Sequence, residues 1–277
     1  MAEVSNAHEP DAGRSTAPDQ PEQPPTVPNE SGVSPRIEGL KGLELTPRRI
    51  EVRRLAAAMR DIMEHLVSTT ASTDDLSSAA DDLENLAAVL RALPKGQTYQ
   101  GFAEAANAGN VISAQAGSSS GPVPNLVLAE DDPERYAFFD HSPFIGLANP
   151  LSPPMSLDYS ADRVVGRVTF GSAYEGPPGC VHGGYVAGAF DELLGATQSL
   201  SGTQGMTAHL EVDYRKPTPL NVPLVMESWL DRREGRKIWA RGTMTADGEL
   251  RAEAEALFIA FDPEKFRALL AARNTQD

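Results

Sequence analysis

The chain of 277 residues contains a single cysteine, Cys180. An intrachain disulfide is therefore excluded, and the usage suits a reducing cytoplasm. No apolar run approaches the length of a membrane span. Positive charge is scarce: 24 Lys and Arg stand against 39 Asp and Glu, for a formal charge of −15. That balance opposes nucleic-acid binding, which wants a basic face. The first residues carry Glu3, Glu9 and Asp11 and no hydrophobic segment, the pattern of neither a secretory signal nor an acid-poor transit peptide. Cys180, His182 and His209 do not form a recognisable ligand set, so no metal is expected. The expectation is a cytoplasmic protein.

What is present divides by texture. Residues 1–40 are rich in Pro, Glu, Ser and Asn with almost no large apolar side chain, which predicts a disordered tail. Residues 41–96 change pattern. Thr46-Pro47 suits a helix cap and first position, and Val52, Leu55, Met59, Ile62 and Leu66 follow at helical spacing. A second run, Leu76, Ala79, Leu83, Leu86, Leu90 and Leu93, starts after Thr73-Asp-Asp and stops at Pro94. The prediction is a helical hairpin of two antiparallel helices joined near Ser68 to Ser72. Its Arg48, Arg49, Arg53, Arg54 and Arg60 read as a solvated face near Glu51, Asp61 and Glu64, or else as a site for a phosphate or an acidic partner. Residues 97–124, small and polar, read as a linker.

Residues 125–277 read as α+β. Arg163 to Phe170 predicts a strand, and Gly184 to about Thr197 a helix. Met206 to Arg215, Leu224 to Asp231, Lys237 to Thr245 and Arg251 to Phe261 predict four more strands, with turns at Lys216-Pro-Thr-Pro219, Glu234-Gly235 and Asp247-Gly248. Asp262-Pro263 opens a short final helix. Prolines 150, 153 and 154 stiffen an approach loop over Asn149 to Met155.

The densest chemistry lies in Tyr174-Glu-Gly-Pro-Pro-Gly-Cys-Val-His182-Gly183-Gly184, followed by Asp191 among Val186, Ala187, Ala189, Phe190, Leu193 and Leu194. A carboxylate in apolar company is costly without a partner or a task. The glycine pair stands at a predicted helix start, where unpaired N–H groups and a partial positive charge suit an anion or a polarised carbonyl. Gly184, Gly188, Asp191 and Gly195 share one helix face, where a ligand or another surface can approach the backbone. Asp191 is about 10 Å from Gly184 along the axis. One carbonyl can hardly touch both, so a shared site calls for two copies of the helix. The competing reading is a glycine-rich packing face with Asp191 bonded to a neighbouring turn.

The run Tyr174 to Gly184 resembles the signature of hotdog-fold acyl-CoA thioesterases, of the phenylacetate-pathway type and the branch related to the carboxyl-terminal modulator protein. Three further segments match in order and spacing: Thr207-Ala-His-Leu-Glu-Val-Asp-Tyr-Arg-Lys-Pro217-Thr-Pro-Leu220, Glu234-Gly-Arg-Lys-Ile-Trp239 and Glu255-Ala-Leu-Phe-Ile-Ala260. The resemblance spans about residues 135–265. It implies a hotdog fold, an antiparallel sheet wrapped around a long central helix.

It also implies roles. The Gly183 N–H, with Gly184, would hold the thioester oxygen, and Asp191 of a neighbouring subunit would act as general base or as nucleophile. Thr207 matches a hydroxyl position that orients water, or is an ordinary strand threonine. His182 either binds substrate or orders the turn. Arg215-Lys216 and Arg236-Lys237 are candidates for the coenzyme A phosphates, or plain surface charge. No cofactor is expected beyond coenzyme A as part of the substrate. Cys180 reads as a small buried residue. Where many relatives have an asparagine before His-Gly-Gly, this chain has Glu175-Gly-Pro-Pro-Gly179, the form of the modulator-protein branch.

The leading expectation is an acyl-CoA thioesterase acting as a homodimer or dimer of dimers. Its first rival is a non-hydrolytic acyl-CoA- or protein-binding module with the hairpin as contact surface. Its second is a hotdog hydratase or dehydratase using His182 with Asp191. Phe139, Phe144, Leu147 and Met155 are candidates for an acyl tunnel or for plain core.

Overall fold

The computed structural model describes residues 47–94, 142–160, 162–203 and 205–260. The expected tail over 1–40, the linker over 97–124, the final helix after Asp262 and Phe139 lie outside these.

Helix α1 (Pro47–Ser68) and helix α2 (Thr73–Ala92) stand where the apolar spacing placed them. Ser72 caps α2 by accepting from the Asp75 N–H, which satisfies one otherwise open amide. Strand β1 (Ser156–Tyr159), β2 (Arg163–Val168), helix α3 (Gly183–Gln198), β3 (Gly205–Tyr214), β4 (Leu224–Glu234), β5 (Lys237–Ala246) and β6 (Glu249–Ala260) follow. The strands form one sheet in the order β1-β2-β4-β5-β6-β3, every pair antiparallel. Strand β1 was not foreseen: four residues after a proline-rich stretch carry too short a pattern to read.

Helix α3 buries Val186, Ala189, Phe190, Leu193, Leu194 and Thr197, a stripe of helical period facing the sheet. Opposite it, β6 supplies Ala252, Ala254, Ala256 and Ala260 around the larger Phe258. The small residues accept the bulk of Phe190, Leu193 and Leu194, all 0 % exposed, each contributing about 1.5–3 kcal/mol by leaving water. Two buried hydroxyls fix the helix to the sheet. Thr197 Oγ1 donates to the Leu193 carbonyl and meets Ser228 Oγ, and Ser228 in turn donates to the Val164 carbonyl. A six-stranded antiparallel sheet packed on a long helix is the hotdog arrangement.

The sheet ends on two unequal edges. Strand β1 is short, whereas β3 has ten residues and is mostly exposed, with only Gly205, Leu210 and Val212 partly covered. Its outer backbone row pairs with no described strand, and edges of this kind are templates for another chain.

Candidate active site

The loop before α3 folds back on itself. Glu175 Oε1 accepts from the Gly179 N–H at 2.7 Å, and Gly176 N–H donates to the Cys180 carbonyl at 2.9 Å. Glycine is required twice here. Gly179 has φ +74°, and a Cβ on Gly176 would sit 2.7 Å from the His182 Cα. Glu175 thus closes the loop through its own side chain. Cys180, expected to be buried, is partly exposed, because it lies on the outer limb of this loop.

Tyr174 anchors the loop's base. Its hydroxyl donates to the Leu151 carbonyl at 3.1 Å, and its carbonyl accepts from the His182 N–H at 2.9 Å. Its ring packs edge-on against Phe170 and Tyr185. Burial, with Tyr185 adding to it, pushes the phenol up to about 12, so the hydroxyl remains a donor at neutral pH.

His182 is the N-cap of α3. Its Nδ1 accepts from the Gly184 N–H at 3.0 Å, which places the proton of the neutral ring on Nε2. The ring therefore orders the turn, one of the two roles open to it. The Gly184 N–H is occupied by this bond. The Gly183 N–H has no acceptor among the described residues, and it sits at the positive end of the helix. Tyr214 Oη donates to the Gly183 carbonyl at 2.8 Å, steadying that peptide. Tyr214 lies inside the Thr207–Leu220 segment, the one sequence signal that points to it.

Two turns along, Asp191 is exposed and accepts from Thr207 Oγ1 at 2.8 Å. The glycine face differs from place to place. Gly184 meets the His182 ring, Gly188 is covered by Phe144, whose ring would lie 2.1 Å from a Cβ there, and Gly195 faces open space. Beside Asp191, half-buried Glu192 accepts from Ser142 Oγ at 2.8 Å. Burial pushes the Glu192 carboxyl above its ordinary value, against the Ser142 bond, and the Asp191 charge adds to the rise. Nothing local separates Glu192 from a solvated helix acid, which is why sequence reasoning missed it.

The structure does not bring the cationic candidates together. Arg215 pairs with Glu253 and Asp213, and Lys216 with Glu249. Arg236 donates Nε and Nη2 to the Ala260 carbonyl at 3.0 and 2.9 Å, closing the end of β6, while Lys237 is exposed. The Arg215 and Lys216 amides bond the Arg251 carbonyl. The two pairs thus stand at opposite ends of β6, roughly 30 Å apart at about 3.3 Å per residue. Arg215-Lys216 is on the Gly183 side, next to Tyr214.

A six-stranded antiparallel sheet behind a long helix, with an open amide at the helix start and a carboxylate farther along it, defines a hotdog protein. Residues 178–253 match the family model described as thioesterase superfamily. A crystal structure of a thioesterase superfamily protein is 30% identical and covers 75% of this chain and 94% of its own, with a TM-score of 0.60. The chain belongs to the thioesterase superfamily. Mouse acyl-coenzyme A thioesterase THEM4 is 42% identical over 105 residues, 37% of this chain and 45% of that protein. The Xenopus laevis THEM4 is 39% identical over 95 residues, 34% and 43%. The chain thus spans less than half the length of these relatives.

Proposed function

We propose that this protein is an acyl-CoA thioesterase, hydrolysing the thioester to a free acid and coenzyme A. The reading is carried by one observation: the Gly183 N–H and the Asp191 carboxylate, held by Thr207, both lie open on the same helix. The thioester oxygen accepts from the Gly183 N–H, which stabilises the charge that develops there, an effect of about 3 kcal/mol per donor. Thr207 uses its proton on Asp191 Oδ1, leaving Oδ2 to take a proton from water while the threonine oxygen accepts from that same water. The hydroxide adds to the carbonyl carbon, the C–S bond breaks, and the thiolate recovers the proton from Asp191. Direct attack by Asp191, through a mixed anhydride, uses the same two groups.

Eight helical residues separate Gly183 from Asp191, about 12 Å, too far for one carbonyl. Two copies paired along the open β3 edge supply one group each, so the active species is a homodimer or dimer of dimers. Arg215 and Lys216, on the Gly183 side, exchange their carboxylate partners for the phosphates of coenzyme A. A cytoplasmic location fits the single cysteine. Among the described residues no helix is long and apolar enough to cross a membrane.

The test is release of free coenzyme A from short, medium, long-chain and aromatic acyl-CoAs, comparing wild type with Asp191→Asn. Turnover is expected to fall about 10²-fold or more in the variant, with fold and oligomer unchanged. Equal turnover in both removes Asp191 from the mechanism. Acyl-CoA binding without turnover by the wild type favours the non-hydrolytic module instead. One observation supports that rival, the uncovered apolar stripe of α2.

A further inference from the structure

Arg60 and Glu64, one helical turn apart on α1, leave the solvated face expected for them and reach into the main body. Arg60 Nη1 donates to the carbonyls of Leu147 and Asn149 at 3.2 and 2.9 Å. Glu64 Oε1 and Oε2 accept from the Ser172 and Ala173 N–H groups at 2.7 and 3.1 Å, where a short 3₁₀ turn, Ser172–Tyr174, begins. The backbone makes room for this carboxylate: a Cβ on Gly171 would lie 2.4 Å from Glu64 Oε2. Among the described side chains of α1, only Ala56 is buried. A cleft of about 300 Å³ remains between α1 and Pro153, Pro154, Thr169 and Tyr174. Two polar anchors therefore hold the helix alongside this limited apolar burial.

Each anchor grips a segment that touches one half of the site. The turn held by Glu64 ends in Tyr174, whose carbonyl receives the His182 N–H, and His182 caps the helix that carries Gly183. The segment held by Arg60 places Phe144 on Gly188 and Ser142 on Glu192, beside Asp191.

We propose that α1 is a strap, and that Arg60 and Glu64 are positioning residues that fix α3 through two segments packed against it, the Glu64-held turn at its start and the Arg60-held segment farther along. The catalytic consequence rests on the thioesterase reading above; the mechanical one does not. Loss of the strap lets the Gly183 amide wander from the place where the oxyanion forms, a loss felt in the transition state more than in binding.

The experiment compares the full chain with Glu64→Ala, Gly171→Ala, their double variant, Glu64→Gln and Glu51→Ala. The Gly171→Ala methyl displaces the carboxylate without altering α1. Glu51 is exposed and bonds only Arg54 among the described residues. Amide hydrogen exchange, melting temperature, kcat and KM are measured. Glu64→Ala and Gly171→Ala are each expected to raise exchange over residues 172–173 and 182–186 by about tenfold. Each is expected to lower kcat about 5- to 20-fold with KM within about twofold. The double variant should be no worse than either single one. Glu64→Gln, which keeps an acceptor, should recover much of the loss, and Glu51→Ala should match wild type. Faster exchange confined to residues 172–173 overturns the strap. Wild-type kcat in Glu64→Ala, with exchange raised throughout, overturns the positioning role. If the wild type hydrolyses no acyl-CoA, the thioesterase reading falls, and exchange at 182–186 alone decides the strap.

Discussion

Helices α1 and α2 carry apolar residues at the same spacing, yet among the described residues only α1 docks. In α1, Ala56 is 3 % exposed and Val52, Leu55, Ile62 and Met63 are partly covered. In α2 no residue is buried, and Leu76, Leu83, Leu86 and Val89 lie open, as does Leu93 at its C-cap. Arg60 and Glu64 make the difference. Charged side chains bonded to backbone N–H and C=O groups gain more than neutral pairs, and α2 has no such bond to the main body among the described residues. Amphipathic spacing therefore predicts that a helix forms, while its docking depends on whether loop amides and carbonyls meet its polar side chains.

The largest expected contrast comes from breaking each helix in turn. Ala58→Pro in α1 and Ala80→Pro in α2 each cost about 3 kcal/mol of local helix stability. Only the α1 variant should lower the melting temperature of the main transition; an equal drop from Ala80→Pro would show that α2 is docked too.

Acid should reproduce part of that effect. Burial raises the Glu64 carboxyl, but the amides of Ser172 and Ala173, with the Ser172 hydroxyl and His65, together draw it below its ordinary value. A carboxyl depressed in the folded state adds stability above its unfolded value of about 4.3, and that stability is lost as pH falls through the lower folded value. The melting-temperature gap between wild type and Glu64→Gln should be present at pH 7 and close in acid below that range. A gap independent of pH would mean that the charge on Glu64 contributes nothing to docking.

The smallest effect is expected on α2. Leu83→Ser and Leu86→Ser should each change stability by less than about 0.5 kcal/mol, as exposed substitutions do, and leave turnover unaltered. A larger loss that grows with protein concentration would reveal a second copy covering the stripe.

Much of the fold was legible because it rests on local periodicity and on turn glycines. Helix α3 and strands β2 to β6 fall within a few residues of where Gly184, the alternating apolar residues and the Gly235 and Gly248 turns placed them. The glycine-rich face of α3 with Asp191 was readable from spacing alone. Thr207 entered through family resemblance, and its bond to Asp191 joins residues on two different elements. Arg60 could not be read correctly. Local acids made it resemble surface charge, while its true partners lie 87 and 89 positions away. Arg236 is a similar case, engaged by a carbonyl 24 residues off.

The sequence by itself determined which segments become helix and strand, where the chain turns, and which helix start offers an open amide, because those outcomes depend on neighbours within a turn or a strand. The tertiary structure alone decided that Glu192 is half-buried against Ser142, that Tyr214 steadies Gly183, that Arg215 and Arg236 serve opposite ends of β6, and that α1 docks where α2 does not. Each of these depends on polar groups brought together by folding, and hydrogen bonds reach only about 3 Å, so no pattern confined to one segment could announce them.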